Sequence, residues 1–146
     1  MEECNRAMAG SKFLPEVAAV ADPQKPDLIT VSYGTNDWAA GRTAREISHF
    51  CRQFLQNLQI TYPGTPIAVI SPVQRFNFDC SNPCMDYEAL TESIRTAAEA
   101  FGDVFFIDGS TLMPKDGRLF FDGLHPNDDG MALYAENLIK ALKALL

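Results

Sequence analysis

Apolar positions along the chain recur in two rhythms. Short, nearly continuous apolar runs alternate with longer stretches in which apolar residues return at helical spacing. Asp27–Tyr33, Pro66–Ser71 and Asp103–Asp108 read as strands, the first with Pro26 just ahead of it. Thr43-Ala44-Arg45-Glu46 is a capping box, a signal for a helix N-terminus. Behind it Ile47, Phe50, Cys51, Phe54, Leu55 and Leu58 fall on one face. Tyr62–Thr65, with its Pro-Gly centre, is a turn. Asp86 is placed to cap a second helix, with Tyr87, Leu90, Ile94, Ala97 and Phe101 facing inward. A last helix carries Met131, Tyr134, Ala135, Leu138, Leu142 and Leu145 on one side.

Strands alternating with helices require crossover connections, hence a parallel sheet covered on both faces. Ligands of such sheets bind beyond the carboxyl ends of the strands. Asn36, the loop after Ser71 and the loop after Asp108 all leave the sheet at that edge, and His125 can reach it. The 146 residues form one domain, 1–146, without repeats or linkers. A chain of this length buries roughly 68–70% of its unfolded surface, enough for one core. A net charge of −7 disfavours nucleic acid and anionic membranes as partners. No apolar run approaches the roughly 20 residues of a membrane span, and the first residues lack signal-peptide character, so a cytoplasmic location is expected. The four cysteines, Cys4, Cys51, Cys80 and Cys84, follow no zinc or redox spacing. Cys51 reads as a small core residue.

The chemistry concentrates in Asp122-Gly123-Leu124-His125-Pro126. A carboxylate beside an imidazole fixes its tautomer and stabilises the imidazolium formed when it takes a proton. Far upstream, Tyr33-Gly34-Thr35-Asn36-Asp37 closes an apolar run, where Gly and Asn can aim polar donors at a developing oxyanion. Asp122 and His125 are therefore expected to pair near Asn36.

Gly-x-Asn-Asp after a strand, followed far downstream by Asp-x-x-His-Pro before a final helix, resembles the SGNH hydrolases, also called GDSL lipases and esterases. The resemblance implies a three-layer α/β/α sandwich with a parallel, flavodoxin-like sheet. It implies that His125 is the general base, that Asp122 orients it, and that Asn36 donates to the oxyanion. Asn5-Arg6-Ala7-Met8-Ala9-Gly10-Ser11 looks like the family's glycine block, so Gly10 would supply a second donor. The family's Gly-Asp-Ser nucleophile block is missing: only a few residues precede Asn5, and none is Ser. Asp108-Gly109-Ser110 has the wrong order and follows a late strand. The match implies an N-terminally truncated domain lacking the family's first strand and helix. Its substrate would be a small acyl ester, its cofactors none and its metal none. With the nucleophile absent, the chain is expected to be inactive alone, and to form a homo-oligomer through the sheet edge left open.

Each residue also has a plainer role. His125 could simply pack under the last helix. Asp122, His125, Asp128 and Asp129 could hold a metal, but one His among loop acids is a poor transition-metal set. Ser71 reads as a strand end; Ser71, Cys80 and Cys84 are the candidates for a replacement nucleophile. His49 lies off its helix's apolar face, in solvent. Trp38 and Phe76 read as loop aromatics that could line an acyl pocket, and Asp37 as a brace for the loop. The alternative to a hydrolase is a remnant that kept the fold as a binding or assembly module.

Overall fold

The computed structural model describes residues 3–76 and 85–145. The elements run α1 (Pro15–Ala18), β1 (Ile29–Val31), α2 (Thr35–Ala39), α3 (Ala44–Thr61), β2 (Ile67–Ile70), α4 (Tyr87–Ala98), β3 (Val104–Ile107) and α5 (Asp128–Leu145), with 3-10 turns at Gly109–Thr111 and Gly117–Leu119. The three strands form one parallel sheet in the order β1-β2-β3. Ile29 stands opposite Ile67, Ile67 opposite Val104, and Ile70 opposite Ile107. The fold is the expected α/β sandwich.

Side-chain alternation along the strands divides the core in two. Val31, Ile67, Val69 and Val104 face a large cluster built by α3 and α4, including Ile47, Cys51, Leu55, Leu90 and Ile94. Ala68, Ile70 and Ile107 face the other way, toward Leu112 and α5. The capping box forms as its sequence dictates: the Thr43 side chain accepts from the Glu46 N–H while the Glu46 side chain accepts from the Thr43 N–H. Asp86 caps α4 by accepting from the Ala89 N–H at 2.8 Å. Asn127 does the same for α5 through the Gly130 N–H at 3.0 Å.

Three elements depart from the sequence reading. The first strand is shorter than Asp27–Tyr33, because Gly34 turns the chain with φ 115° directly into α2. Trp38 is therefore no loop aromatic; it is 3% exposed within α2, its indole N–H donating to the Met85 carbonyl at 3.0 Å. On α5 the stripe is only partly covered: Tyr134, Leu138, Leu142 and Leu145 are half-buried, Ala135 is exposed and Met131 remains 51% exposed. Among the described residues β1 pairs with β2 alone, and Thr30 and Ser32 are exposed. Residues 3–7, which could have filled that edge as a strand, form none and are exposed. Met1 and Glu2 lie outside the described residues.

Gly34 and Gly130 are among the glycines fixed by close approach. A Cβ on Gly34 would lie 2.7 Å from Ile94 Cδ1, in addition to the strain of its positive φ. A Cβ on Gly130 would lie 2.3 Å from the Leu119 carbonyl oxygen. Replacing Gly34 with Ala is expected to cost about 2–4 kcal/mol in urea unfolding. Gly102→Ala, at a site with no heavy atom within 4 Å, is the control and should change stability by less than about 0.5 kcal/mol.

Candidate functional site

The loop before α5 is shaped by its own carboxylate. Asp122 Oδ1 accepts from the Leu124 N–H at 2.9 Å and the His125 N–H at 2.7 Å. The chain turns at Gly123, φ 80°, a backbone conformation that L side chains rarely adopt. The Phe121 N–H then donates to the His125 carbonyl at 2.8 Å, and Phe120 and Pro126 form an isolated antiparallel bridge. This tie closes a compact loop that presents the imidazole. His125 Nδ1 lies 2.8 Å from Asp122 Oδ2. With Nδ1 facing a carboxylate, Nε2 is the nitrogen left to exchange a proton with a ligand. The His125 side chain is 72% exposed. The backbone N–H of His125, the His125 ring and the Leu124 N–H hold the Asp122 carboxyl well below the ordinary carboxylate range.

The Gly-x-Asn-Asp segment does not end a strand; it opens the short helix α2. Asn36 Nδ2 donates to the Ser11 carbonyl at 2.9 Å, which brings Asn36 against the Gly10 turn. That turn is closed by the Ser11 N–H donating to Met8 O at 3.1 Å, and Gly10 adopts φ 77°. Asp37, fully buried, accepts from the Phe13 N–H at 3.2 and 3.3 Å and pairs with Arg42. Burial pushes the Asp37 carboxyl up, opposed by the Arg42 charge and the Phe13 N–H.

The predicted residues thus assemble as two pairs, Asp122 with His125 and Asn36 with the Gly10 turn. Among the described residues no hydrogen bond joins one pair to the other. The open cleft at His125, about 800 Å³, is lined by Phe121, Asp122, His125, Pro126, Asn127, Asp128 and Asp129. None of these residues carries a hydroxyl or thiol. Ser71 is buried, its Oγ accepting from the Gly109 N–H at 2.9 Å, so it ends its strand rather than facing a ligand. Ser110 donates to Asp108 within its own turn. Cys80 and Cys84 lie outside the described residues. His49 is exposed, as its place on the helix predicts. Phe76 is partly exposed but covers Gly117, where an added Cβ would come within 2.9 Å of its ring. Sequence reading passed over Phe121, 86% exposed on the cleft wall. Its signal was the carboxylate that follows directly: a residue adjoining Asp122 is carried into the loop, while its neighbour Phe120 is buried.

The sequence model of the GDSL-like lipase/acylhydrolase family matches residues 4–133, and the chain belongs to that family. None of the curated proteins matches it. Among solved structures, it is similar to the salicylyl-acyltransferase SsfX3 of a tetracycline biosynthetic pathway, with TM-score 0.78 and 24% identity over 91% of this chain and 42% of that one. It is also similar to a candidate GDSL-like lipase from Bacteroides ovatus, with TM-score 0.75 and 23% identity over 92% of this chain and 41% of that one. A family 3 carbohydrate esterase from Talaromyces cellulolyticus gives TM-score 0.72 and 18% identity over 99% of this chain and 77% of that one. These identities establish a shared fold. The chain spans less than half the length of the first two relatives.

The carboxylate anchor of the His125 loop gives a pH prediction with a definite sign. Because the folded Asp122 carboxyl is held below the ordinary aspartate value of about 3.9, the loop's stabilisation is complete above that value. It is lost as pH falls through the lower, folded value. The Leu124 and His125 amide resonances should therefore hold their hydrogen-bonded positions at pH 4 and move only under stronger acid. Movement centred in the ordinary carboxylate range would contradict the assignment.

Proposed function

We propose that this chain carries the acid–base and oxyanion parts of a GDSL-type ester hydrolase or acyltransferase site. The observation that carries the reading is the 2.8 Å contact between His125 Nδ1 and Asp122 Oδ2 on a loop at an open cleft. In this reading a serine hydroxyl attacks the acyl carbonyl and its proton passes to His125 Nε2. Asp122 stabilises the resulting imidazolium. The Asn36 amide, which has a second N–H beyond the one given to Ser11, and the Gly10 backbone N–H receive the oxyanion. His125 then returns its proton to the leaving alkoxide. The substrate is a small acyl ester, and no cofactor enters these steps.

The serine comes from outside the described residues, on a strand entering along the open edge of β1. The exposed Thr30 and Ser32 and the half-covered face of α5 support this, because an unpaired strand edge is a template for another strand. Where no such strand is supplied, the same edge pairs with a second copy of the chain. The reading places the protein in the cytoplasm, where the exposed Cys4 stays a thiol.

A second reading is favoured by one observation, the lack of any hydroxyl or thiol among the described residues lining the His125 cleft. On that reading the chain by itself is a binding or assembly module of the same fold.

Two measurements test the proposed reading. The chain alone is expected to hydrolyse aryl esters no faster than His125→Ala, since a site without its nucleophile keeps only what binding and the oxyanion donors provide. Robust turnover that disappears in His125→Ala would refute the assignment of the nucleophile to an added strand. Light scattering on a sizing column should give twice the 16.1 kDa of the chain. A monodisperse, folded species of single mass would contradict pairing through the β1 edge.

A further inference from the structure

Asp37 has no exposed surface, and the proposed proton transfers do not use it. Its carboxylate and the Arg42 guanidinium act on one short piece of backbone. Asp37 accepts from the Phe13 N–H, and Arg42 Nη1 donates to the Phe13 carbonyl at 3.3 Å while pairing with Asp37. Both backbone polar groups of Phe13 are thereby fixed by one ion pair. The Phe13 ring locks the same residue from its other side, edge-on to Tyr33 at 5.7 Å and to Phe54 at 5.8 Å. The Arg42 guanidinium is itself held over the Phe50 ring, 4.1 Å from its centroid. Only two residues before Phe13, the Ser11 carbonyl receives the Asn36 amide, and Ser11 adjoins Gly10. Asp37 adjoins Asn36 on the same turn of α2.

We propose that Asp37 and Arg42 are positioning residues that hold the Gly10 turn against Asn36 and so set the spacing of the two oxyanion donors. The inference rests on the acyl-transfer reading for its purpose, but its geometry is independent of any nucleophile. The Gly10 turn is otherwise exposed and closed by a single local hydrogen bond; on its other side Arg6 pairs with Asp22 at the surface, where solvent weakens an ion pair, so the buried Asp37–Arg42 pair is the stronger anchor. A charge-assisted bond to a buried carboxylate resists displacement more than a neutral one. One guanidinium nitrogen, Nη1, serves the carboxylate and the carbonyl together while the planar group lies over the Phe50 ring; a Lys ammonium keeps the charge but not the planar group that stacks there.

The test is made by NMR on the ¹⁵N-labelled full chain, with Arg42→Gln and Arg42→Lys. In Arg42→Gln the Gly10 amide and the Asn36 side-chain amide should shift. The Ser11 and Phe13 amides should exchange about ten- to hundredfold faster, while the amides of Ile67–Ile70 keep their protection. Arg42→Lys should give an intermediate shift of the Asn36 side-chain amide, a partial rescue that a general packing role would not produce. Loosening of Ile67–Ile70 together with the turn would overturn the proposal, and so would unmoved Asn36 and Gly10 signals in a folded Arg42→Gln chain. If Arg42→Gln does not fold, Arg42→Lys decides alone, and an unshifted Asn36 side chain overturns the proposal. None of these readouts requires catalysis. A failed esterase assay leaves them standing, and an unmoved Asn36 leaves the Asp122–His125 pair standing.

Discussion

A carboxylate with no exposed surface must find partners inside the protein or surrender its charge. Asp37 is in that position, and its partners decide where the N-terminal segment runs. Phe13 brings the chain to it with a backbone N–H; Arg42 comes from the end of the turn that follows α2. Once these are in place, Phe13 is locked among Tyr33 and Phe54 on the α3 side of the sheet. The Ser11 carbonyl then meets Asn36. On the proposed reading the Gly-x-Asn-Asp segment thus divides its labour: Asn36 offers a donor to the site and Asp37 fastens the segment that would carry the other donor.

The two halves of the candidate site differ in how they are held. The Asn36 half is secured by a long-range contact through the core, the Asp122–His125 half by bonds within a few residues of one another. That difference explains what was legible in the sequence. Asp-x-x-His spacing, the Thr43–Glu46 capping box and the Asp86 cap are local devices, and each forms as its spacing predicts. Trp38 was misread because its environment depends on Met85, far along the chain, and on Gly34 starting a helix where a strand end was expected. The Phe13 lock left no periodic signal, since a single aromatic in an irregular segment looks like any other. The role of Gly10 rests on resemblance alone, whereas Asn36 also stands out by its place after an apolar run.

The sheet edge shows the same limit from another direction. Periodicity placed Leu138, Leu142 and Leu145 on one face of α5, and that face does meet Ala68, Ile70 and Ile107. Periodicity could not show how completely the face would be covered. Among the described residues β1 is unpaired on one side and the α5 layer is half-buried, so a helix that reads as core-facing is a partly open surface. On the proposed reading, the open edge and the lack of a hydroxyl among the described residues of the cleft have one cause: the described residues supply a base, its orienting acid and oxyanion donors around a position that another strand would fill.

Covalent trapping tests that claim most directly. A fluorophosphonate reacts with a serine only where a base has activated it. Intact-mass analysis of the chain after exposure to such a probe is predicted to show no adduct. With a peptide strand carrying Gly-Asp-Ser added, the adduct is predicted on the peptide's serine, and it should vanish in His125→Ala. An adduct on the chain itself without any peptide, or labelling of the peptide that persists in His125→Ala, would contradict the account.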